Sequence, residues 1–141
     1  MKSLKRVAFI LLAMKILLDT NVLLMPGQLG VDIVSEIGKT AAGKLYILDR
    51  SLEELDKIII EQKGKQRDSA LLAKLILEKG GITALKTENI KKGGEPPQVD
   101  ALLEDYSKKG YLVATQDRGL QKKLKRYMVL RQKSHFRIMG E

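Results

Sequence analysis

Four acidic residues are placed where they could act together: Asp19, Glu54, Asp100 and Asp117. Asp19 directly follows the short apolar run 15–18, and Asp117 follows the run 111–114 through Thr115-Gln116. Glu54 lies one turn into the helix-period stretch after the apolar run 44–48, and Asp100 opens another such stretch after a polar loop. Gathered carboxylates repel one another; two unit charges ~4 Å apart cost about 4 kcal/mol at an effective dielectric of ~20. Such a group holds protons or binds a hard cation. Oxygen ligands with neither thiolates nor a histidine cluster point to Mg²⁺ or Mn²⁺ rather than zinc. An ion of that kind polarises a phosphate and acidifies water, with a second ion possible at the leaving oxygen.

Other chemistries are poorly supplied. The chain has no cysteine, which excludes disulfides, thiolate zinc sites and a cysteine nucleophile. A single histidine, His135, and no serine motif argue against a histidine-dependent triad. Positive charge, in contrast, is abundant, with 26 Lys and Arg against 17 Asp and Glu and a net charge of +9. Residues 118–140 hold eight bases and no acid: Arg118, Lys122, Lys123, Lys125, Arg126, Arg131, Lys133 and Arg137. A run of charge is usually a solvated face, but so long a stretch without an acid suits a polyanion such as RNA.

The elements that must position the acids follow from the apolar pattern. Strands are expected at 15–18, 44–48, 82–85 and 111–114, with a possible fifth at 128–130. Helices are expected at 31–38, where Val31, Val34 and Ile37 share a face and Gly38 stops it, and after a cap at Asp49 or Ser51. That second helix places Leu52, Leu55, Ile58 and Ile59 on one face. Further helices are expected at 69–79, 99–108 and 118–126. Pro26-Gly27 predicts a loop, 61–68 a charged turn, and 87–98, with Gly93-Gly94 and Pro96-Pro97, a loop. Strands alternating with helices imply right-handed crossovers, hence an α/β fold of three layers, α/β/α, around a central parallel sheet of four to five strands. Sites in such sheets form beyond the carboxyl ends of the strands, where all four acids fall.

A domain is expected over 14–141, with residues 1–13 either an N-terminal extension or the product of a start upstream of a natural one at Met14. Their basic start and apolar continuation resemble the opening of a secretory signal, but no small-x-small cleavage site follows and Lys15 interrupts the run. The apolar stretch is too short to span a bilayer. A cytoplasmic protein without membrane association is expected.

Taken singly, each acid has a plainer reading: Asp19 a turn-former, Glu54 and Asp100 first-turn residues favoured by the helix dipole, Asp117 a cap. Together at strand ends, in a basic chain without rival chemistry, they read as one site. Glu104, one turn after Asp100, divides evenly between an outer ligand and a solvated residue. Asn21 is expected to orient Asp19, and Thr115 to orient Asp117. Asp32, Glu53, Asp56 and Asp105 are read as surface charge.

The segment Leu17-Leu18-Asp19-Thr20-Asn21-Val22-Leu23 resembles the opening strand and Asp-x-Asn turn of PIN-domain nucleases. Ser51-Leu52-Glu53-Glu54-Leu55, Val99-Asp100-Ala101-Leu102-Leu103 and Val113-Ala114-Thr115-Gln116-Asp117-Arg118-Gly119-Leu120 are similar to that family's second, third and fourth acidic motifs. The resemblance runs in order from about 14 to 138. It implies a PIN-like fold and a metal-dependent endoribonuclease, with Mg²⁺ or Mn²⁺ held by Asp19, Asp100, Asp117 and Glu54. Lys122, Lys123, Lys125 and Arg126, with Arg118, would contact the RNA backbone. Gly119 stands where many relatives carry a further acid, which bears on a second metal rather than the first. Val129-Leu130-Arg131 and the tail Ser134-His135-Phe136-Arg137-Ile138 resemble PIN proteins of small-subunit rRNA processing; VapC-type toxins are the other branch. The family implies a homodimer, and the two branches imply a ribosome-assembly partner or an antitoxin respectively. Two readings from other classes stand beside it. One is an RNA-binding assembly factor that does not cut. The other is a haloacid-dehalogenase-type phosphotransferase, which requires an Asp where this chain has Asn21.

Overall fold

The computed structural model describes residues 14–87 and 98–140. Its frame is a six-stranded sheet in the order β3-β2-β1-β4-β5-β6. The strands are β1 (Met14–Leu18), β2 (Gly43–Leu48), β3 (Thr83–Leu85), β4 (Leu112–Ala114), β5 (Arg126–Arg131) and β6 (His135–Gly140). The first five run parallel to their neighbours and β6 runs antiparallel to β5. The chain builds outward from β1 through β2 to β3, then returns to β4 on the other side. That reversal opens a crevice at the carboxyl ends of β1 and β4.

β1 is central because it is apolar on both faces, as a strand covered on both sides must be. Ile16 and Leu18 enter one core and Leu17 the other, all fully buried. Burial of each stabilises by about 1.5–3 kcal/mol. The larger core is closed by α1 (Thr20–Leu23), α2 (Met25–Leu29), α3 (Ile33–Thr40), α4 (Asp49–Glu61) and α5 (Gly64–Lys79). The smaller core lies under α6 (Val99–Lys108) and α7 (Arg118–Gln121), through Leu103 and Leu120. The expected layers are present, and Leu52, Leu55, Ile58 and Ile59 all pack from α4 as their spacing indicates.

Several expectations need correction. The sheet has six strands, because residues 135–140, where no strand is expected, form β6. The turn before it carries Gln132 and Lys133 at φ 53° and 56°, with neither Asn nor Gly to signal a hairpin. The helix expected at 118–126 stops at Gln121, and β5 already begins at Arg126. Pro26-Gly27 is helical, not a loop: proline is tolerated in the first turn of α2, where its missing N–H is not needed. A Cβ at Gly27 would meet Ser69 Cα at 2.5 Å, so glycine is what lets α2 lie against α5. The charged turn shrinks to Gln62-Lys63, since α5 starts at Gly64. α3 runs through Gly38 to Thr40 and buries Ile33 with Ile37, leaving Val34 exposed. Neither Asp49 nor Ser51 caps α4, which begins after Leu48 without a side-chain cap. Asp49 instead accepts from Thr87 N at 3.0 Å and Thr87 Oγ1 at 2.6 Å, tying the start of α4 to the segment after β3. Most of the loop expected at 87–98 lies outside the described residues.

Candidate active site

Asp19 leaves β1 in extended conformation and caps α1. Its carboxylate is buried and held from three sides. Thr20 N donates to Oδ1 at 2.8 Å, while Thr115 Oγ1 and Asn21 Nδ2 donate to Oδ2 at 2.7 and 3.1 Å. Asn21 thus bonds the carboxylate of Asp19. Thr115 does more than expected: it bonds Asp19 across the sheet, and its hydroxyl also accepts from Asp117 N at 3.1 Å. One fully buried hydroxyl therefore links the ends of β1 and β4.

Asp117 repeats the arrangement on β4 in the open. It caps α7 with Oδ1 alone, accepting from Gly119 N at 2.8 Å and Leu120 N at 3.3 Å, and it is exposed. Glycine at 119 suits this cap, since an added Cβ would come within 3.2 Å of Asp117 Oδ1. Glu54 in α4 and Asp100 in the first turn of α6 are both half-buried. Glu104 takes a separate course, with an oxygen 3.9 Å from Lys108 Nζ one turn along α6.

The electrostatics tie the four acids together. Burial pushes the Asp19 carboxyl above the ordinary value of 3.8; the bonds from Thr115 and Thr20 oppose the rise, and the charges of Asp100 and Asp117 add to it. Glu54 rises above 4.5 for the same first reason, opposed by Thr20 and reinforced by Asp19 and Asp100. Mutual repulsion of this kind requires proximity. Even so, among the described residues no three acids are drawn together into a preformed metal-binding group. The donor set remains one for a hard cation, all carboxylate oxygen with uncompensated negative charge. Mg²⁺ in particular is commonly held by one or two carboxylates and keeps several waters.

Some residues around the site escaped the sequence reading. Thr20 Oγ1 lies 3.0 Å from the buried Ser51 Oγ and so joins α1 to α4 beside Glu54. Gln116 behaves as a piece of strand: its Nε2 donates to Leu130 O at 3.2 Å and its Oε1 accepts from Leu130 N at 2.7 Å. Gln121 Nε2 donates to Thr115 O at 2.7 Å. Only tertiary pairing reveals these glutamines; Thr20, between Asp19 and Asn21, was the one with a local signal. Of the expected cations, Arg118, Lys122, Lys123, Lys125 and Arg126 are all exposed.

A doubly covered, mostly parallel sheet with a crevice at its switch point defines an α/β domain. Residues 16–133 match the family model described as a PIN-like domain, and the chain belongs to that family. PIN domains are generally nucleases. The chain is also similar in fold to a solved structure titled "Structure of the PIN domain endonuclease Utp24". That similarity has a TM-score of 0.66 at 18% identity, and covers 90% of this chain and 92% of the other. No curated protein matches the sequence. Among the described residues, no helix is long and apolar enough to cross a membrane.

Proposed function

We propose that this chain is a divalent-metal-dependent endoribonuclease whose metal is held by Asp19, Asp100 and Asp117, with Glu54 completing the shell or orienting water. The observation that carries the reading is Asp19 itself. A carboxylate buried at the end of the central strand, fixed by three donors and repelled by two further acids, is costly unless a cation compensates it. Mg²⁺ or Mn²⁺, when bound, supplies the positive charge that polarises a phosphodiester and acidifies water. The chain's own residues do the rest. Thr115, Asn21 and Thr20 fix Asp19, so its negative charge needs no rearrangement when the ion and substrate arrive. Asp117 has one oxygen, Oδ2, without a partner among the described residues. Glu54 retains a proton to higher pH than an ordinary glutamate, which suits it to position water and take up its proton. In-line attack on phosphorus breaks the bond to the leaving 3′ oxygen, giving a 5′-phosphate and a 3′-hydroxyl. Arg118, Lys122, Lys123, Lys125 and Arg126 attract the polyanion. The resemblance of the tail to the small-subunit rRNA-processing branch supports precursor rRNA as the target.

End-labelled single-stranded RNA, incubated with Mn²⁺, Mg²⁺ or EDTA beside the Asp117→Asn variant, tests this directly. Metal-dependent cleavage lost in the variant is the expected result. A second reading, an RNA-binding assembly factor that does not cut, is favoured by the lack of a preformed three-acid group among the described residues. Binding without turnover under any metal would establish it instead.

A further inference from the structure

Beside Asp117 the surface opens into a groove of about 500 Å³, within the roughly 300–1,000 Å³ typical of ligand pockets. Gln116 and Arg118, the neighbours of Asp117 on either side, form its near end, and Lys122 continues that wall along α7. Its floor is one face of β5. Side chains alternate along a strand, so Tyr127, Val129 and Arg131 point to this side, while Met128 and Leu130 enter the larger core and Leu130 also borders the groove. The register extends the floor onto β6, where Met139, Arg137 and His135 stand opposite these three residues and share their face.

The chemistry of the groove is one-sided. Arg118, Lys122 and Arg131 line it, and none makes an ion pair with a described residue. Arg137 adds a fourth charge beyond the rim. Tyr127 supplies a half-buried aromatic ring among them, packed at the border of the smaller core. Gln116 cannot contribute a hydrogen bond readily, because both ends of its amide are held by Leu130. Unpaired cations around an aromatic wall match a phosphate with its attached base. Proteins hold single strands in this way, by charge along the backbone and stacking on aromatic or guanidinium planes.

We infer that this groove is a nucleotide subsite, in which Arg118, Lys122 and Arg131 hold the phosphate and Tyr127 stacks the base of a residue next to the scissile bond. The inference rests on the nuclease reading for the orientation of the strand but not for binding itself. It separates the basic residues into two sets. Arg131 and Tyr127 belong to the subsite, whereas Lys123, Lys125 and Arg126 do not line it and act only through long-range attraction.

The test is fluorescence anisotropy of a labelled single-stranded RNA decamer with the full chain in EDTA, where binding is read without turnover. Arg131→Gln weakens binding roughly fivefold or more and lowers the salt slope by about 0.7, the loss of one phosphate contact. Tyr127→Leu weakens it by roughly fivefold or more, and Tyr127→Phe, which keeps both ring and packing, does not. The Tyr127→Leu effect disappears on a decamer of abasic residues. Lys65→Ala removes an equal charge from α5, away from the groove, and serves as the control. If Arg131→Gln and Tyr127→Leu match that control while the parent still binds RNA, the subsite is wrong and the nuclease reading is untouched. A parent chain that binds no RNA overturns the subsite outright. Groove-dependent binding in a chain that never cuts with any metal upholds the subsite and overturns the nuclease reading.

Discussion

Asp19 and Asp117 occupy the same local device on neighbouring parallel strands, yet they end in opposite environments. Each follows a strand, adopts an extended backbone and caps a four-residue helix. Asp19 is buried, and both of its oxygens are committed to donors. Asp117 is exposed and commits one oxygen only. The difference arises above the strands. Among the described residues, the Thr20–Ser51 bond joins α1 to α4 beside the end of β1, whereas the residues after β4 pass into the exposed start of the short α7. One motif thus yields a fixed charge and an adjustable one, and Thr115 connects them.

The comparison breaks most severely at Asp19. Asp19→Asn replaces a charge with an amide whose own donors face those of Thr115 and Asn21. Metal-dependent cleavage should fall by more than the ~10–100-fold typical of residues that only support a metal ligand. Undiminished cutting in a discontinuous RNA assay would sink the assignment of the site. Asp117 should separate function from structure. Asn is as good a cap as Asp, so Asp117→Asn should lose activity with an unchanged melting temperature. Asp117→Ala should lose activity and also about 1 kcal/mol of stability, read by chemical denaturation.

Thr115→Val tests the link. It removes a donor from Asp19 and an acceptor from the Asp117 amide in a fully buried place, at a cost of about 1–3 kcal/mol. Because the Thr115 bond holds the Asp19 carboxyl down, its loss should move the acid limb of the cleavage–pH profile to higher pH. An unmoved limb with reduced stability would mean that Thr115 only supports packing.

The smallest effect concerns pH without metal. Asp19 and Glu54 titrate above their ordinary values when folded, so the folded chain holds more protons than the unfolded one in that interval. Their contribution to stability is therefore full below the ordinary 3.8 and 4.5 and is lost as pH rises through the raised values. In EDTA, thermal melts should record that loss. Mn²⁺ should reverse it by about 2.7 kcal/mol at a hundred times its Kd, and should leave Asp19→Asn unshifted.

The sheet was legible where short apolar runs ended in Asp or in a helix-period stretch, because burial on both faces dictates such runs. The positions of the four acids were legible for a related reason: Asp19 and Asp117 follow strands and cap helices, Asp100 opens α6, and Glu54 lies further along α4. Asp32 was only partly read. It is exposed, but its carboxylate accepts from Ser35 N at 3.1 Å and caps α3. The right-hand edge was the least legible region. Phe136 and Ile138 alternate as strand residues should, but only Arg137 lies between them to mark the pattern and the turn lacks its usual glycine. The role of Thr115 toward Asp19 could not be read locally, since the two are 96 residues apart.

That separation has a consequence for the life of the protein. The central strand finds one partner in β2, about thirty residues on, and the other only in β4, close to a hundred residues on. Gln116 in turn needs Leu130 to hold the turn that carries Asp117. A nascent chain emerging from the ribosome therefore lacks the clamp on Asp19 until residue 115 is available, and lacks the brace behind Asp117 until residue 130 is. A domain assembled in this order completes its candidate site only once β4 and β5 have joined the sheet, so the site depends on the contacts of β1 that are most distant in the chain.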